Sequence, residues 1–210
     1  SWSSIDYKGR WKALHYIAKN FFQPIFISIK QVKDNIEIYG MNDLNHQFKG
    51  DLVVQVLDFN GESLSTLKKS IKLKSASASK ILTFDVGELI DDEKINRTLI
   101  RASLNNKIKQ LSQNEFYFVR PKELQIPKPR FDFEYKISNG EVEIIIKAHT
   151  FIYKAFIICD KSDGLFSENF MDLIPGELKK VKFKKGKKSD NKLEDLTFIM
   201  KSYYELVHKN

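Results

Sequence analysis

The first segment of the chain shows the spacing of an amphipathic helix. Between residues 9 and 22 apolar side chains recur every three or four positions, while polar ones such as Lys12 and Lys19 fill the other face. Pro24 follows, where a helix is expected to have ended. Because a strongly apolar face must pack on another body, we expect this helix to be the edge of something larger. The apolar positions are Trp11, Leu14, Ile17, Ala18, Phe21 and Phe22.

After Pro24 the hydrophobic period changes to two, which is typical of β-strands. Asp34-Asn35 and Asn60-Gly61 supply hairpin turn chemistry between alternating segments. Turn signals about every 8–12 residues are typical of a β-sandwich. The pattern predicts strands over residues 25–30, 36–41, 51–59, 63–74, 81–86, 99–104 and 115–119.

Residues 120–129 hold three of the five prolines, which remove backbone donors and stiffen the chain. We interpret this stretch as a linker, after which the β pattern restarts. The second part is therefore predicted to be a smaller β-sandwich. Its predicted strands cover residues 131–137, 142–148, 153–159, 166–173, 179–183 and 196–204.

The composition is that of a globular protein with a substantial core: 42% hydrophobic and 30% charged residues, with 16 Phe and 8 Tyr. One cysteine excludes an intramolecular disulfide, and no apolar run reaches the ~18 residues of a membrane span. The net charge of +8 comes mostly from lysine, so we expect no nucleic-acid partner and no membrane. The basic run over residues 179–188 is interpreted as a solvated strand face, with an anionic ligand as the alternative.

Few residues suggest catalysis. Asn114-Glu115 is a dipeptide found at the acid/base position of many retaining glycosidases, but an alternating strand is a poor place for a paired carboxylate. Cys159 is expected to be a core residue, and no glycine-rich phosphate loop is present. We therefore expect no cofactor and no metal site. The four histidines, which lack metal-ligand spacing, are His15, His46, His149 and His208.

Aromatic residues leave two interpretations open. Exposed rings could stack on sugar faces, which would make the chain a carbohydrate-binding module, whereas buried rings would belong to the sandwich cores. The core interpretation is favoured, because sandwich cores use aromatic residues heavily. The candidates by residue type are Tyr39, Phe59, Tyr117, Tyr203 and Tyr204.

Three segments, in chain order, resemble one family. Residues 2–7 (WSSIDY), 9–16 (GRWKALHY) and 21–24 (FFQP) resemble the end of the catalytic barrel in β-mannosidases of glycoside hydrolase family 2. Residues 42–44 and 50–61 resemble the first C-terminal immunoglobulin-like domain of that family. Residues 166–177 (FSENFMDLIPGE) are similar to a run in its last domain.

The resemblance implies a mainly β fold with two immunoglobulin-like sandwiches in tandem, preceded by one α-helix left from a (β/α)8 barrel. Residues 1–23 would be the terminal barrel segment, 24–125 the first sandwich and 126–210 the second. The chain starts without Met, which suggests processing or a cut from something larger. Both catalytic glutamates would precede Ser1, so the chain alone is expected to be inactive.

The implied function is that of the non-catalytic C-terminal region of an exo-acting, retaining β-mannosidase. Trp2 is the one candidate substrate-binding residue, at the rim of the barrel site, and packing beneath the helix is its alternative. The expected partners are the catalytic barrel and N-terminal domains of the parent chain, with a β-mannoside oligosaccharide as candidate ligand. A bacterial parent would be periplasmic or secreted. The other functions considered are a carbohydrate-binding module and electrostatic docking to anionic glycans or surfaces.

Overall fold

The structure is a computed structural model that describes residues 3–7, 9–138, 140–186 and 191–208. It divides into two compact units. Residues 20–125 form one, and residues 126–210 together with residues 1–19 form the other. Both are built from antiparallel strands, so the predicted mainly β fold is confirmed.

The first unit is a sandwich of two sheets. One sheet has the order β1-β2-β5 and the other β4-β3-β6-β7. A short helix α2 (Val86–Leu89) and a 3-10 turn (Asp92–Arg97) connect β5 to β6, and a second 3-10 turn (Pro121–Glu123) follows β7. The strands are β1 (Ile25–Val32), β2 (Asn35–Asn42), β3 (Phe48–Asp58), β4 (Ser63–Leu73), β5 (Ser77–Asp85), β6 (Thr98–Asn105) and β7 (Gln110–Tyr117).

Both hairpins predicted in this sandwich are confirmed. β1 pairs with β2 in continuous register as far as Val32 opposite Asn35, so the turn is Lys33-Asp34, one residue before the predicted Asp34-Asn35, with Lys33 in the left-handed backbone region. β3 pairs with β4, and Gly61 has a φ of 87°, which only glycine adopts at no cost. The alternating apolar residues of β1, β2, β3 and β6 fill the space between the two sheets. Fully buried members of this core are Ile27, Ile36, Ile38, Leu52, Ile100, Ala102 and Leu104.

The second sandwich also has two sheets, with strand orders β11-β13-β9-β8 and β12-β10-β14. Its core includes the fully buried residues Val142, Ile144, Ile146, Val181 and Phe183. A 3-10 turn (Leu193–Asp195) precedes the last strand. The strands are β8 (Phe131–Ser138), β9 (Glu141–Ala148), β10 (Ile152–Cys159), β11 (Gly164–Phe166), β12 (Met171–Leu173), β13 (Leu178–Lys185) and β14 (Phe198–Lys201).

The prediction of one strand over residues 166–173 is wrong. The segment forms two short strands, and these lie in different sheets: β11 pairs with β13, and β12 pairs with β10. Between them Phe170 has a φ of 57°, which breaks the extended backbone. The polar run Ser167-Glu168-Asn169 interrupts the apolar positions at this break.

The predicted strand over residues 196–204 is also too long. β14 ends at Lys201, and helix α3 (Tyr203–Val207) follows. Ser202 caps this helix, since its Oγ accepts a hydrogen bond from the Tyr204 N–H at 3.2 Å. The Glu205 carboxylate accepts in return from the Ser202 N–H at 2.7 Å, which completes a capping box.

The N-terminal helix α1 (Ala13–Phe21) is shorter than predicted and begins after an isolated bridge between Ile5 and Trp11. Tyr16 is its one buried residue. The Phe166 N–H donates to the Tyr16 hydroxyl oxygen at 3.3 Å, and burial raises the pKa of that hydroxyl. Tyr16 belongs to the core of the second sandwich, and the Trp11 ring packs against that core.

The predicted apolar face of α1 is only partly covered within the described residues. Leu14 is 57% exposed, Phe21 54% and Phe22 85%. The buried residue of the helix is Tyr16, which the prediction assigned to neither face. Assignment of residues 1–23 to a separate barrel segment stays a prediction.

No helix in the described ranges has the length and apolar character needed to cross a membrane.

Candidate functional site

A cleft opens at one end of the first sandwich, where three separate stretches of chain meet. These are the segment leading into β1, the β2–β3 connection with the start of β3, and the β6–β7 turn with the start of β7. The cleft has a volume of about 660 Å³. Small-molecule sites typically occupy about 300–1,000 Å³. Its apolar lining consists of Pro24, Ile25, Leu44, Phe48 and Leu111.

The polar lining of the cleft is cationic. Lys49 and Lys109 both line it, and no aspartate or glutamate among the described residues does. Both lysines are exposed, and neither has an ion-pair partner in the part of the chain that the structure describes. The remaining polar lining residues are Gln23, His46, Gln47 and Asn106.

Asn42 organises one wall of the cleft. It is fully buried, and its side-chain NH2 donates to the carbonyl oxygens of His46 at 2.9 Å, Lys74 at 2.9 Å and Leu73 at 3.3 Å. Its Oδ1 accepts from the Leu44 N–H at 3.0 Å. One side chain therefore fixes the loop that carries two of the lining residues, His46 and Leu44.

Asn106 organises the opposite wall. Its Oδ1 accepts from the backbone N–H groups of Ile108 at 2.9 Å and Lys109 at 2.8 Å. Its own N–H donates to the Lys109 carbonyl at 3.0 Å. The turn is thus held by its own side chain, as asparagine turns commonly are, and it fixes the backbone from which Lys109 extends.

The predicted substrate-binding residue, Trp2, lies outside the residues that the structure describes. Its role at the rim of a barrel site stays a proposal.

Glu115, weighed in the sequence as a catalytic acid, lies in a structural ion pair. The Arg101 Nε donates to its carboxylate at 3.0 Å, and the Gln113 amide donates to the same oxygen at 2.6 Å. The Arg101 side chain is 7% exposed. The neighbouring Asn114 donates to the Ile27 carbonyl at 3.3 Å and so links β7 to β1. Both residues of the dipeptide therefore hold strands together.

Carboxyl groups with a resolved pKa shift are shifted downward within the described residues. The pKa of Glu37 is lowered by hydrogen bonds from Lys80 at 2.9 Å and Tyr39 at 2.7 Å. Lys136 lowers the pKa of Glu143, and Arg120 lowers that of Glu123. A catalytic acid needs the opposite, a raised pKa that keeps it protonated.

Cys159 and the histidines show no sign of a reactive cluster. Cys159 is half-buried, and burial raises the pKa of its thiol, which disfavours the nucleophilic thiolate. His149 lies 3.0 Å from Asp132 on the surface, and His15 is 3.0 Å from the Ser4 hydroxyl. The described ranges contain no group of three or more His, Cys, Asp or Glu side chains that could hold a metal ion.

The basic run on β13 has the predicted strand-face pattern. Val181 and Phe183 are buried, while the alternate lysines Lys180, Lys182 and Lys184 are exposed. Lys179 pairs with Glu168 at 2.7 Å, and Lys182 pairs with Glu141 at 3.3 Å. Much of this charge is therefore neutralised locally. Residues 187 and 188, which end the run, lie outside the described residues.

The aromatic residues considered as a sugar platform do not form an exposed one. Phe59 is 5% exposed. Tyr39, Tyr117, Tyr203 and Tyr204 are half-buried. The Tyr39 hydroxyl is bonded to Glu37, and the Tyr203 ring packs edge-on against Tyr153.

The run over residues 166–177 is structural. The Asn169 Oδ1 accepts from the backbone N–H groups of Ile157 at 2.8 Å and Phe170 at 3.1 Å, and its NH2 donates to the Ile157 carbonyl at 3.0 Å. The Asp172 carboxylate, 1% exposed, accepts from the backbone N–H and from the ammonium of Lys154, each at 2.8 Å. Lys154 has a φ of 50°, so Asp172 fixes a bulge in β10.

Two known domain families match the chain in tandem. The family described as Mannosidase Ig/CBM-like domain matches residues 34–123, and the family described as Ig-fold domain matches residues 126–205. Beta-mannosidase A from Aspergillus terreus is 24% identical over 94% of this chain, and its homologue from Aspergillus fumigatus is 26% identical over the same share. The chain spans 23% of the length of these relatives.

Solved structures agree on the fold. The β-D-mannosidase from Dictyoglomus thermophilum matches 97% of this chain and 24% of its own, with a TM-score of 0.79 and 20% identity. The exo-chitosanase from Amycolatopsis orientalis matches 96% of this chain and 28% of its own, with a TM-score of 0.68 and 13% identity. From the domain matches and these relatives together, the chain is a tandem of the Mannosidase Ig/CBM-like and Ig-fold domains, homologous to the C-terminal immunoglobulin-like region of β-mannosidases of glycoside hydrolase family 2.

Proposed function

We propose that this chain is the non-catalytic accessory region of a β-mannosidase-like glycoside hydrolase, and that its two sandwiches support the domains that carry the active site. The observation that carries this proposal is the ordered match of both sandwiches to relatives of which the chain spans less than a quarter. In those relatives, the remaining length has room for a catalytic domain.

The chemistry of the described residues supports a structural role. Glu115, the carboxylate weighed for catalysis, is hydrogen-bonded to Arg101, and Glu37 is likewise bonded to Lys80. Their pairing joins neighbouring strands: Arg101 and Glu115 are directly opposite each other on β6 and β7. Such pairs hold carboxylates in place between strands, which suits a scaffold.

The parent enzyme is proposed to remove terminal β-D-mannose from oligosaccharides or glycoconjugates with retention of configuration. Its two catalytic glutamates would lie in a barrel outside this chain, and that barrel and the N-terminal domains would be the partners of the two sandwiches. In this proposal, Trp2 is a substrate-binding residue at the rim of the barrel site.

The test is turnover of an aryl β-mannoside. We expect the purified chain to release no 4-nitrophenol from 4-nitrophenyl β-D-mannopyranoside, while Aspergillus Beta-mannosidase A serves as the positive control. An activity that releases 4-nitrophenol and co-purifies with the chain would overturn the non-catalytic role. A Glu115→Gln variant would then show whether the Asn114-Glu115 dipeptide is responsible.

A further inference from the structure

We propose that the cleft at the end of the first sandwich binds an acidic saccharide, with the oxyanion held by Lys49 and Lys109. The cationic site follows from the geometry of the cleft, while the choice of a sugar as the rest of the ligand rests on the proposed function. No established role of the chain requires this site.

Charge is the first argument. Lys49 and Lys109 line one cleft, and neither has an ion-pair partner among the described residues. On β13, by contrast, Lys179 and Lys182 have glutamate partners. Lys72 lies directly opposite Lys49 in the β3–β4 register and adds to the positive potential at this end of the sheet. Ammonium groups that line one cleft without a carboxylate partner repel one another. They therefore attract an anion, whose binding reduces this repulsion.

Hydrogen-bonding capacity is the second argument. The side chains of Gln23 and Gln47 line the cleft and have no hydrogen-bond partner in the described part of the chain. The same holds for the Asn106 NH2, because the turn uses only the Oδ1 of that side chain. Amide groups both donate and accept, which suits sugar hydroxyls.

Preorganisation is the third argument. The walls carrying these groups are fixed by Asn42 and Asn106, and a site that is already formed loses little entropy when a ligand binds. The apolar floor around Ile25 and Leu111 can cover the non-polar face of a ring.

The same geometry limits what a neutral sugar can gain. Phe48 is the one Phe, Tyr or Trp among the described lining residues, and its ring is buried over Gly50, where an added Cβ would lie 2.5 Å from the Phe48 Cζ. No Phe, Tyr or Trp ring is therefore presented for stacking, so the anionic group has to supply much of the affinity.

The experiment compares three probes: mannose, inorganic phosphate and mannose 6-phosphate. Each is titrated into the ¹⁵N-labelled chain at low salt, and amide shifts are followed at Leu44, Lys49 and Leu111. We expect saturable shifts with mannose 6-phosphate, weaker binding of phosphate, and no saturable shift with mannose. Raising the salt concentration is expected to weaken binding, because the attraction is screened.

Two substitutions test the assignment. Lys49→Gln and Lys109→Gln should each weaken mannose 6-phosphate binding about fivefold, the upper range for one exposed charge pair. Lys68→Gln is the matched control, since Lys68 is an exposed lysine of β4 that does not line the cleft. It should leave affinity unchanged.

The outcomes separate the two parts of the proposal. The whole proposal is overturned if neither phosphate-bearing probe shifts the amide signals of the cleft. It is also overturned if all three substitutions change the affinity for mannose 6-phosphate equally. Equal affinity for phosphate and mannose 6-phosphate overturns the saccharide assignment and leaves an oxyanion site. None of these results depends on turnover of an aryl mannoside, so failure here is distinct from failure of the proposed function.

Discussion

Replacement of Asn169 by alanine tests how the second sandwich closes the edge of β10. Along β10, Phe156 to Cys159 pair with β14 on one side, whereas pairing with β12 on the other side stops at Ala155. Beyond that point the Asn169 side chain, 8% exposed, bonds both the N–H and the carbonyl of Ile157. Asn169 thus takes the place of a missing strand residue.

The size of the effect follows from the groups left behind. Asn169→Ala leaves the N–H and the carbonyl of Ile157 without these bonds, in a residue that is 2% exposed. Each buried polar group that loses its partner costs about 1–3 kcal/mol. We therefore expect the free energy of unfolding of this unit to fall by about 2–6 kcal/mol.

The assay can report on this unit alone. Trp2 and Trp11 are the two tryptophans of the chain, and Trp11 packs against the core of the second sandwich. In a Trp2→Phe background, urea unfolding followed by Trp11 fluorescence measures the loss, and hydrogen exchange of the Ile157 amide locates it. Lys161→Ala, an exposed change in the same sandwich, should stay within about 0.5 kcal/mol. A loss in Asn169→Ala no larger than this control would refute the reasoning.

Three further predictions concern other contacts. Tyr16→Phe removes the acceptor of the Phe166 N–H and should cost about 1 kcal/mol in the same Trp11 assay; an unchanged midpoint would contradict this. Ser202→Ala should lower stability by about 1 kcal/mol through loss of the α3 cap, measured by urea unfolding, while Ser202→Asn should restore most of it. The pKa of Glu37 is lowered in the folded state. The stability that its ionised form contributes is therefore present above the ordinary glutamate pKa of about 4.3, and it is lost as the pH falls through the lowered pKa of the folded state. In a Glu37→Gln variant, the free energy of unfolding of the first sandwich should therefore fall less steeply with decreasing pH. The same slope in both proteins would exclude this contribution.

Alternation and turn chemistry predicted the fold well where strands run straight. The two hairpins of the first sandwich followed from period-two patterns joined by short turns, with Asn60-Gly61 as the clearest signal. The prediction failed between residues 166 and 173, where a bonded asparagine and one left-handed residue redirect the backbone and divide the segment between two sheets. It also missed α3, although Ser202 and Glu205 are spaced as a capping box and could have revealed it.

The cleft could not be predicted from the sequence. Its lining comes from residues 23–25, 44–49 and 106–111, which only the sheet pairing brings together. Lys49 and Lys109 also look like ordinary solubilising lysines along the chain. What distinguishes them is that they line one cleft, which is a property of the folded arrangement.

The contact between Tyr16 and Phe166 joins positions 150 residues apart, and it makes the second unit discontinuous in sequence. During synthesis, residues 20–125 emerge with all their strand partners and can fold at once. The N-terminal segment has to wait until β9 to β13 have emerged before Tyr16 finds its site. Because closing such a long loop costs entropy that only late contacts repay, we expect α1 to dock in one of the last steps of folding.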